Sequence, residues 1–323
     1  MTSYATAKPV LATSNQDEIV QKPGGWVDFS ISPELKCEYD GNSSVLWTTS
    51  TPRGIPCFSM DLLRAMERGS QIIEGYFSGS ESVRPLSYIA LRSGISRTFN
   101  VGGDLGLFLR LIANQDRARL TEYARTAIDV SYRNYTSHNI KGVTTVALLE
   151  GDALGGGFES ALSCDLVIAE EHVKAGFPEV LFNMFPGMGG LSFLTRRVGR
   201  KIAHEMSRTG RLYGARELLE LGVVDRVVES RGAVSAFNDL MRNREHQREA
   251  HTAMNTIDRM LNPVTLSELH EVVRLWVDCA MRLSPRGQAW MRRLLQQQVA
   301  NFGESAALRV VQGSTPTPST EVR

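Results

Sequence analysis

Gly151-Asp152-Ala153-Leu154-Gly155-Gly156-Gly157-Phe158-Glu159-Ser160-Ala161-Leu162-Ser163-Cys164-Asp165 is the stretch whose reading decides the fold. TTVALLE at 144–150 precedes it and DLVIAE at 165–170 closes it, both rich enough in β-branched and apolar residues to predict strands. Between them adjacent glycines turn the chain from strand into a short helix. Glycine adopts backbone angles closed to other residues and lets a ligand approach bare N–H groups. At a helix N-terminus those N–H groups lack partners and sit at the positive end of the dipole.

A second turn of this kind is Phe99-Asn100-Val101-Gly102-Gly103-Asp104, after a strand expected at 87–91 (SYIAL). Two such turns can hold an oxyanion between them. Each alone is explained equally well by tight strand–helix packing. Neither carries Gly-Lys-Ser/Thr or G-x-G-x-x-G, which argues against a nucleotide site.

The third stretch is Ala175-Gly176-Phe177-Pro178-Glu179-Val180, continuing to Phe185-Pro186-Gly187-Met188-Gly189-Gly190. Pro178 fixes its own φ and biases Phe177 to extended geometry. Glu179 is thereby set rigidly among apolar neighbours, where a carboxyl pKa rises toward the range useful for proton transfer. A charge at a helix N-terminus is the competing explanation, both for Glu179 and for Glu159.

Outward from these stretches, strands are expected at 45–49 (VLWTT) and 223–229. Helices are expected from Ser59 to about Phe77 and from Asp116 to about Tyr135. Strands alternating with helices predict an α/β architecture. After Arg231 only helical patterns follow, near 232–249, 251–261, 265–283 and 286–301. In the third, Leu266, Leu269, Val273, Trp276, Ala280 and Leu283 form one stripe suited to a core or an interface. The resulting division is a flexible segment 1–26, a catalytic core 27–230, a helical region 231–301 and a flexible tail 302–323.

Composition narrows the function classes. The chain has 323 residues, 42% of them hydrophobic, and a net charge of +1. Nothing global points to nucleic acid or a membrane surface. The cysteines Cys37, Cys57, Cys164 and Cys279 form no C-x-x-C pair, so reduced thiols and no metal site are expected. No signal-peptide pattern and no apolar run of about 20 residues is present, and a cytoplasmic location is expected.

Together the stretches resemble the crotonase (enoyl-CoA hydratase/isomerase) superfamily over about residues 45–230. GDALGGGFESALSCDLVIAEE is similar to that family's second oxyanion turn, AGFPEVLFNMFPGMGG to its Pro-Glu segment, and TGRLYGARELLELGVVDRVV to its closing helix–strand unit. FNVGGDLGLF, DRARLTEYA, PEVLFNMFPGMG and RLWVDCAM further resemble the bacterial synthases of diffusible signal factors, which serve quorum sensing.

The resemblance implies a spiral of ββα units with a C-terminal helical region used in homotrimer, or dimer-of-trimers, assembly. It implies no metal and no organic cofactor. Oxyanion amides fall on Gly103 and Gly156, and the acid–base pair on Glu159 and Glu179. Leu154, Gly155, Met188 and Trp276 are candidates for the acyl site. The implied activities are dehydration of a 3-hydroxyacyl thioester of acyl carrier protein (or CoA) to the cis-2-enoyl thioester, and its hydrolysis to the free acid. A signal-sensor protein is a further implied partner.

Asn183 stands where many relatives have glycine. An extended helical stretch follows Gly103, and about 40 residues precede the first expected strand. Arg196, Arg197, Arg200, Lys201, Arg208 and Arg211 form the densest basic cluster, a docking face for an acidic carrier or a merely solvated surface. Asp104 is expected to order its turn and Asp165 to anchor locally. His138 and His172 lack triad partners, and Ser160 and Ser163 lie in no G-x-S-x-G elbow. Two other functions remain open: an ordinary enoyl-CoA hydratase or isomerase, and a non-catalytic acyl-thioester or sensor-binding module.

Overall fold

The structure, a computed structural model, describes residues 19–78 and 85–302. Its larger sheet starts as an antiparallel meander of β1 (Ile19–Gln21), β2 (Trp26–Ser32), β3 (Leu35–Asp40) and β4 (Val45–Ser50). It continues in parallel through β5 (Tyr88–Ser93), β7 (Thr144–Leu149), β9 (Leu166–Glu170) and β12 (Arg226–Val228). The expectation of a first strand near residue 45 and an irregular chain through residue 26 is thus corrected. β2 and β3 alternate buried and exposed positions, with Val27, Phe29, Cys37 and Tyr39 turned inward. Interspersed polar and charged residues, which leave no unbroken apolar run, hide this pattern in the sequence. Residues 1–18 and 303–323 of the two expected flexible segments lie outside the described residues.

A smaller sheet has the order β11 (Leu212–Gly214), β10 (Lys174–Gly176), β8 (Gly151–Leu154), β6 (Arg97–Asn100). Each unit of the spiral contributes one strand to each sheet and then a helix. β5 leads to β6 and on to α2 (Leu105–Ala113) and α3 (Arg117–Tyr135). β7 leads to β8 and α4 (Gly156–Leu162). β9 leads to β10, a 3-10 turn at Pro178–Phe182, and α5 (Gly190–Thr209), which is interrupted at Gly199. Because β6, β8 and β10 are parallel neighbours, the segments that follow them gather at one end of the small sheet. That juxtaposition creates the site.

The core lies between sheets and helices. β7 is buried along its whole length, which explains its unbroken apolar run. Phe158 and Phe177 are fully buried with ring centroids 5.1 Å apart. Each such ring contributes roughly 1.5–3 kcal/mol by leaving water. On the far face of the large sheet, Phe237 of α7 (Ala233–Arg244) meets Trp47 and Tyr88 edge to face, each at 5.6 Å.

The remaining helices are α1 (Met60–Ser78), α6 (Ala215–Glu220), α8 (Arg248–Leu261), α9 (Leu266–Met281) and α10 (Pro285–Phe302). The predicted stripe of α9 buries Leu269, Val273, Trp276 and Ala280. α8 is fastened by polar groups instead: Arg259 donates to the carbonyl of Tyr135 (2.7 Å) and to Ser137 Oγ (2.9 Å). Its Met254, Ile257, Met260 and Leu261 are exposed. Among the described residues no helix is long and apolar enough to cross a membrane, and no cluster of His, Cys, Asp or Glu could hold a metal ion.

Candidate active site

The turn after β6 is held from three sides. The buried Asn100 Oδ1 accepts from Gly102 N at 2.7 Å. Asp104 caps α2, its Oδ1 accepting from Leu107 N at 2.8 Å, as its place before the helix predicts. From α3, the Tyr123 hydroxyl donates to the Phe58 carbonyl (2.5 Å) and accepts from Asp104 N (3.3 Å). Burial pushes the Tyr123 hydroxyl pKa well above its ordinary value, so it stays protonated. Gly102 has φ +98°, and a Cβ there would lie 3.0 Å from the Leu154 carbonyl and 3.2 Å from Gly156 N. Glycine at this position lets the two turns touch.

β8 ends in the second turn, where Gly155 N donates to the Gly176 carbonyl at 2.9 Å. Gly156 opens α4. Among the described residues neither Gly103 N nor Gly156 N has an acceptor. Both glycines line one cavity of about 440 Å³. Two unengaged amides in such a place are suited to hold a developing negative charge.

Glu159 projects from the first turn of α4 and is 1% exposed. Its Oε2 accepts from Met188 N (2.7 Å) and Gly190 N (2.6 Å), the latter at the N-terminus of α5. Burial, and next the charge of Glu179, push its pKa well above the usual carboxylate range. The amides of Gly190, Met188 and Gly187 oppose that rise, because they favour the anion.

Glu179 is the second residue of the 3-10 turn that Pro178 starts. Its Oε2 is buried with no hydrogen-bond partner, and burial raises its pKa to about 7. The pair therefore combines one carboxyl anchored by main-chain donors with one whose buried Oε2 lacks a partner and whose pKa is raised to about 7. Neighbours of this type can take up and release protons in turn.

All eight expected site residues, Gly103, Leu154, Gly155, Gly156, Glu159, Glu179, Met188 and Trp276, line this same cavity. Sequence reasoning missed Leu105, Phe108, Ala124 and Ala127 of α2 and α3, which form an apolar wall of it. Leu294, Gln297, Gln298 and Asn301 of α10 were missed too; their helical spacing is the signal that could have found them.

Other candidates fall elsewhere. Asp165 anchors Thr145, accepting from its N–H (2.8 Å) and hydroxyl (3.1 Å). His138 is buried outside the cavity, its pKa lowered to about 4 by burial. His172 meets Ser230 Oγ at 3.2 Å. Ser163 Oγ donates to the Ser160 carbonyl at 2.6 Å.

The basic cluster divides. Arg196 makes a two-pronged contact with Glu268 (2.9 and 2.7 Å), and Arg197 holds Asp225 (3.0 Å) and the Cys164 carbonyl (2.8 Å). Arg211 pairs with Glu217 and lies 4.0 Å from the Tyr213 ring centroid. Arg200, Lys201 and Arg208 remain exposed without an ion-pair partner among the described residues.

Comparison with known proteins agrees with the fold. A probable enoyl-CoA hydratase of Rhizobium meliloti is 47% identical over 83 residues, 26% of this chain and 32% of that protein. The first curated relatives are matched over only 19–33% of their own length. The enoyl-CoA hydratase of Bacillus halodurans superposes with a TM-score of 0.65 at 20% identity, covering 80% of this chain and 99% of that one. DspI of Pseudomonas aeruginosa superposes with a TM-score of 0.54 at 24% identity, covering 71% and 80%. The sequence profile of the enoyl-CoA hydratase/isomerase family matches residues 81–280, well over half of the chain, which therefore belongs to that family.

Proposed function

We propose that this protein converts a 3-hydroxyacyl thioester to the cis-2-enoyl thioester and hydrolyses the latter to the free acid, a diffusible signal. The observation that carries the chemistry is two carboxyls, that of the buried Glu159 and that of the half-buried Glu179 with its Oε2 shielded from solvent, on the same apolar cavity as two unengaged amides. The thioester carbonyl accepts from Gly103 N and Gly156 N. One glutamate takes the α-proton while the enolate charge rests on those amides. The other protonates the β-hydroxyl, which leaves as water. In the second reaction a carboxylate takes a proton from water, whose oxygen attacks the same carbonyl, and the thiol leaves protonated. General acid–base assistance of this kind contributes roughly 10²–10⁴-fold per group.

Signal synthesis, rather than ordinary hydration, rests on the resemblance of FNVGGDLGLF, DRARLTEYA, PEVLFNMFPGMG and RLWVDCAM to the signal synthases. Leu154, Met188 and Trp276 line the acyl site in this reading. The unpaired Arg200, Lys201 and Arg208 offer a carrier-protein surface. The exposed apolar residues of α8 suit burial in a homotrimer.

A second reading, an enoyl-CoA hydratase or isomerase, is favoured by the family profile and by the names of the curated relatives. The deciding experiment is product analysis by mass spectrometry with assignment of double-bond geometry, using 3-hydroxyacyl carrier-protein thioesters. Free cis-2-enoic acid from the wild type, absent with Glu159→Ala, supports synthesis. Inertness toward those thioesters combined with hydration of trans-enoyl-CoA establishes the second reading.

A further inference from the structure

β6 and β8 fall out of step just before the first glycine turn. Thr98 pairs with Asp152, but the next pair is Asn100 with Ala153, so β6 carries one residue more than its partner there. Such a bulge re-aims the side chains beside it. Here it lies next to Asn100, which is 3% exposed and whose Oδ1 accepts from Gly102 N at 2.7 Å.

Both polar groups of Gly102 are thereby tied. Its N–H goes to Asn100, and its carbonyl accepts from Phe58 N at 2.8 Å. That carbonyl and Gly103 N belong to one trans peptide unit, in which C=O and N–H point in opposite directions. A carbonyl held toward Phe58 therefore turns Gly103 N–H to the other side. Gly102 has φ +98°. Glycine visits many conformations besides this one, so the turn has to be held in place. The main chain of Asn100 meets the second turn as well. A Cβ on Gly157 would lie 2.3 Å from the Asn100 carbonyl oxygen and 2.8 Å from its Cβ. Gly157 directly follows Gly156, the other proposed donor. One residue thus packs on both turns, with its side chain on the first and its backbone on the second.

The side chain is also neutral. An aspartate has the same shape and accepts the same bond. It would, however, set a negative charge close to the amide on which the enolate charge is to rest, and like charges repel strongly in a buried place. We infer that Asn100 is a positioning residue for the oxyanion hole: its neutral carboxamide directs Gly103 N–H at the thioester oxygen and sets that donor in register with Gly156 N–H. This inference rests on the acyl-thioester reading. It applies to dehydration of a 3-hydroxyacyl thioester and to hydration of an enoyl thioester alike, because both place charge on the same oxygen.

The test is steady-state kinetics of Asn100→Leu and Asn100→Asp beside wild type, on 3-hydroxyacyl carrier-protein thioesters and on trans-enoyl-CoA. Circular dichroism gives the folded fraction of each variant. Leucine removes the acceptor at nearly constant volume. Its kcat per folded enzyme should fall by about 10- to 10²-fold with KM nearly unchanged, because the lost direction matters most once charge has developed. Aspartate keeps the acceptor and adds the charge. Its kcat relative to wild type should be lowered roughly 10- to 10²-fold at high pH and should recover as pH falls and the carboxyl takes up a proton. A merely structural part would not produce that pH dependence. Wild-type kcat in a folded leucine variant would overturn the inference, and so would a loss that appears in KM alone. Should the leucine variant fail to fold, the aspartate variant decides by itself, and a kcat ratio of one at every pH overturns the inference. Each of these negative results leaves the acyl-thioester reading standing, since the wild type still turns over its substrate. A wild type inert toward both thioesters would overturn both.

Discussion

A methyl group on Gly155 would lie 2.2 Å from Oε1 of Glu179. The glycine thus determines where the carboxyl can rest, and does so with φ +51°, in a region that alanine enters only with strain. Gly155→Ala should displace Glu179 and lower kcat by about 10²-fold or more if Glu179 transfers a proton. Steady-state kinetics beside circular dichroism checks this; a folded variant with wild-type kcat would remove Glu179 from the chemistry.

Glu159→Gln and Glu179→Gln are each expected to reduce dehydration by roughly 10²–10⁴-fold. With Glu179 titrating near 7, the wild-type rate should also change across neutrality, and Glu179→Gln should flatten that limb. A pH–rate profile is the measurement, and an unchanged limb in the variant would assign it to another group.

The same titration has a consequence for folding. Glu179 moves from an ordinary 4.5 to about 7 on burial, so between these values the folded protein holds a proton that the unfolded chain releases. Its contribution to stability is greatest below about 4.5 and falls as pH rises toward 7. Glu179→Gln should gain on wild type between pH 5 and pH 8, read as the difference in urea midpoints. A difference that does not vary with pH would count against the raised value.

Tyr123→Phe deletes the hydroxyl that ties Phe58 to Asp104 beneath the first glycine turn. Loss of such a buried bond costs about 1–3 kcal/mol. If Gly103 N serves the transition state, kcat should fall more than KM rises. A pure stability loss with normal kcat would limit Tyr123 to a structural part.

Met188 Sδ lies 2.6 Å from where a Cβ on Gly156 would stand, so the thioether fills space beside that amide. Met188→Phe should shift the preferred acyl length toward shorter chains. Competition among thioesters of graded length gives the answer, and an unaltered product profile would exclude Met188 from the acyl wall.

The parts of the fold legible in the sequence are those with long, strongly patterned segments. β7 and β9 show as apolar runs, and α3 and α9 as periodic stripes, because burial on a full strand or helix face leaves a pattern over many residues. β6, β8, β10 and β11 span only three or four residues each, with glycine or charge inside them, and resemble loops. Their pairing is set by neighbours distant in sequence, which no local pattern records. The antiparallel meander before Val45 pairs locally and escaped for another reason: polar and charged residues stand between its buried ones, so no apolar run marks it. The lining of the candidate site was legible where chemistry constrains residue type: Glu159, Glu179 and the glycines of both turns line one cavity. α2, α3 and α10 contribute side chains through packing, and an Ala124 or Gln298 announces nothing until the helix is set against the cavity.

Both amides that reach Glu159 converge on Oε2. That oxygen has its lone pairs engaged, so any proton the side chain carries must ride on Oε1. A protonated Glu159 can therefore donate from one oxygen only. Its two oxygens cannot exchange duties by a flip of the carboxyl without surrendering both main-chain bonds. In the proposed reaction a ligand would meet a proton from Glu159 from one direction only, a direction set by two peptide groups at the start of α5.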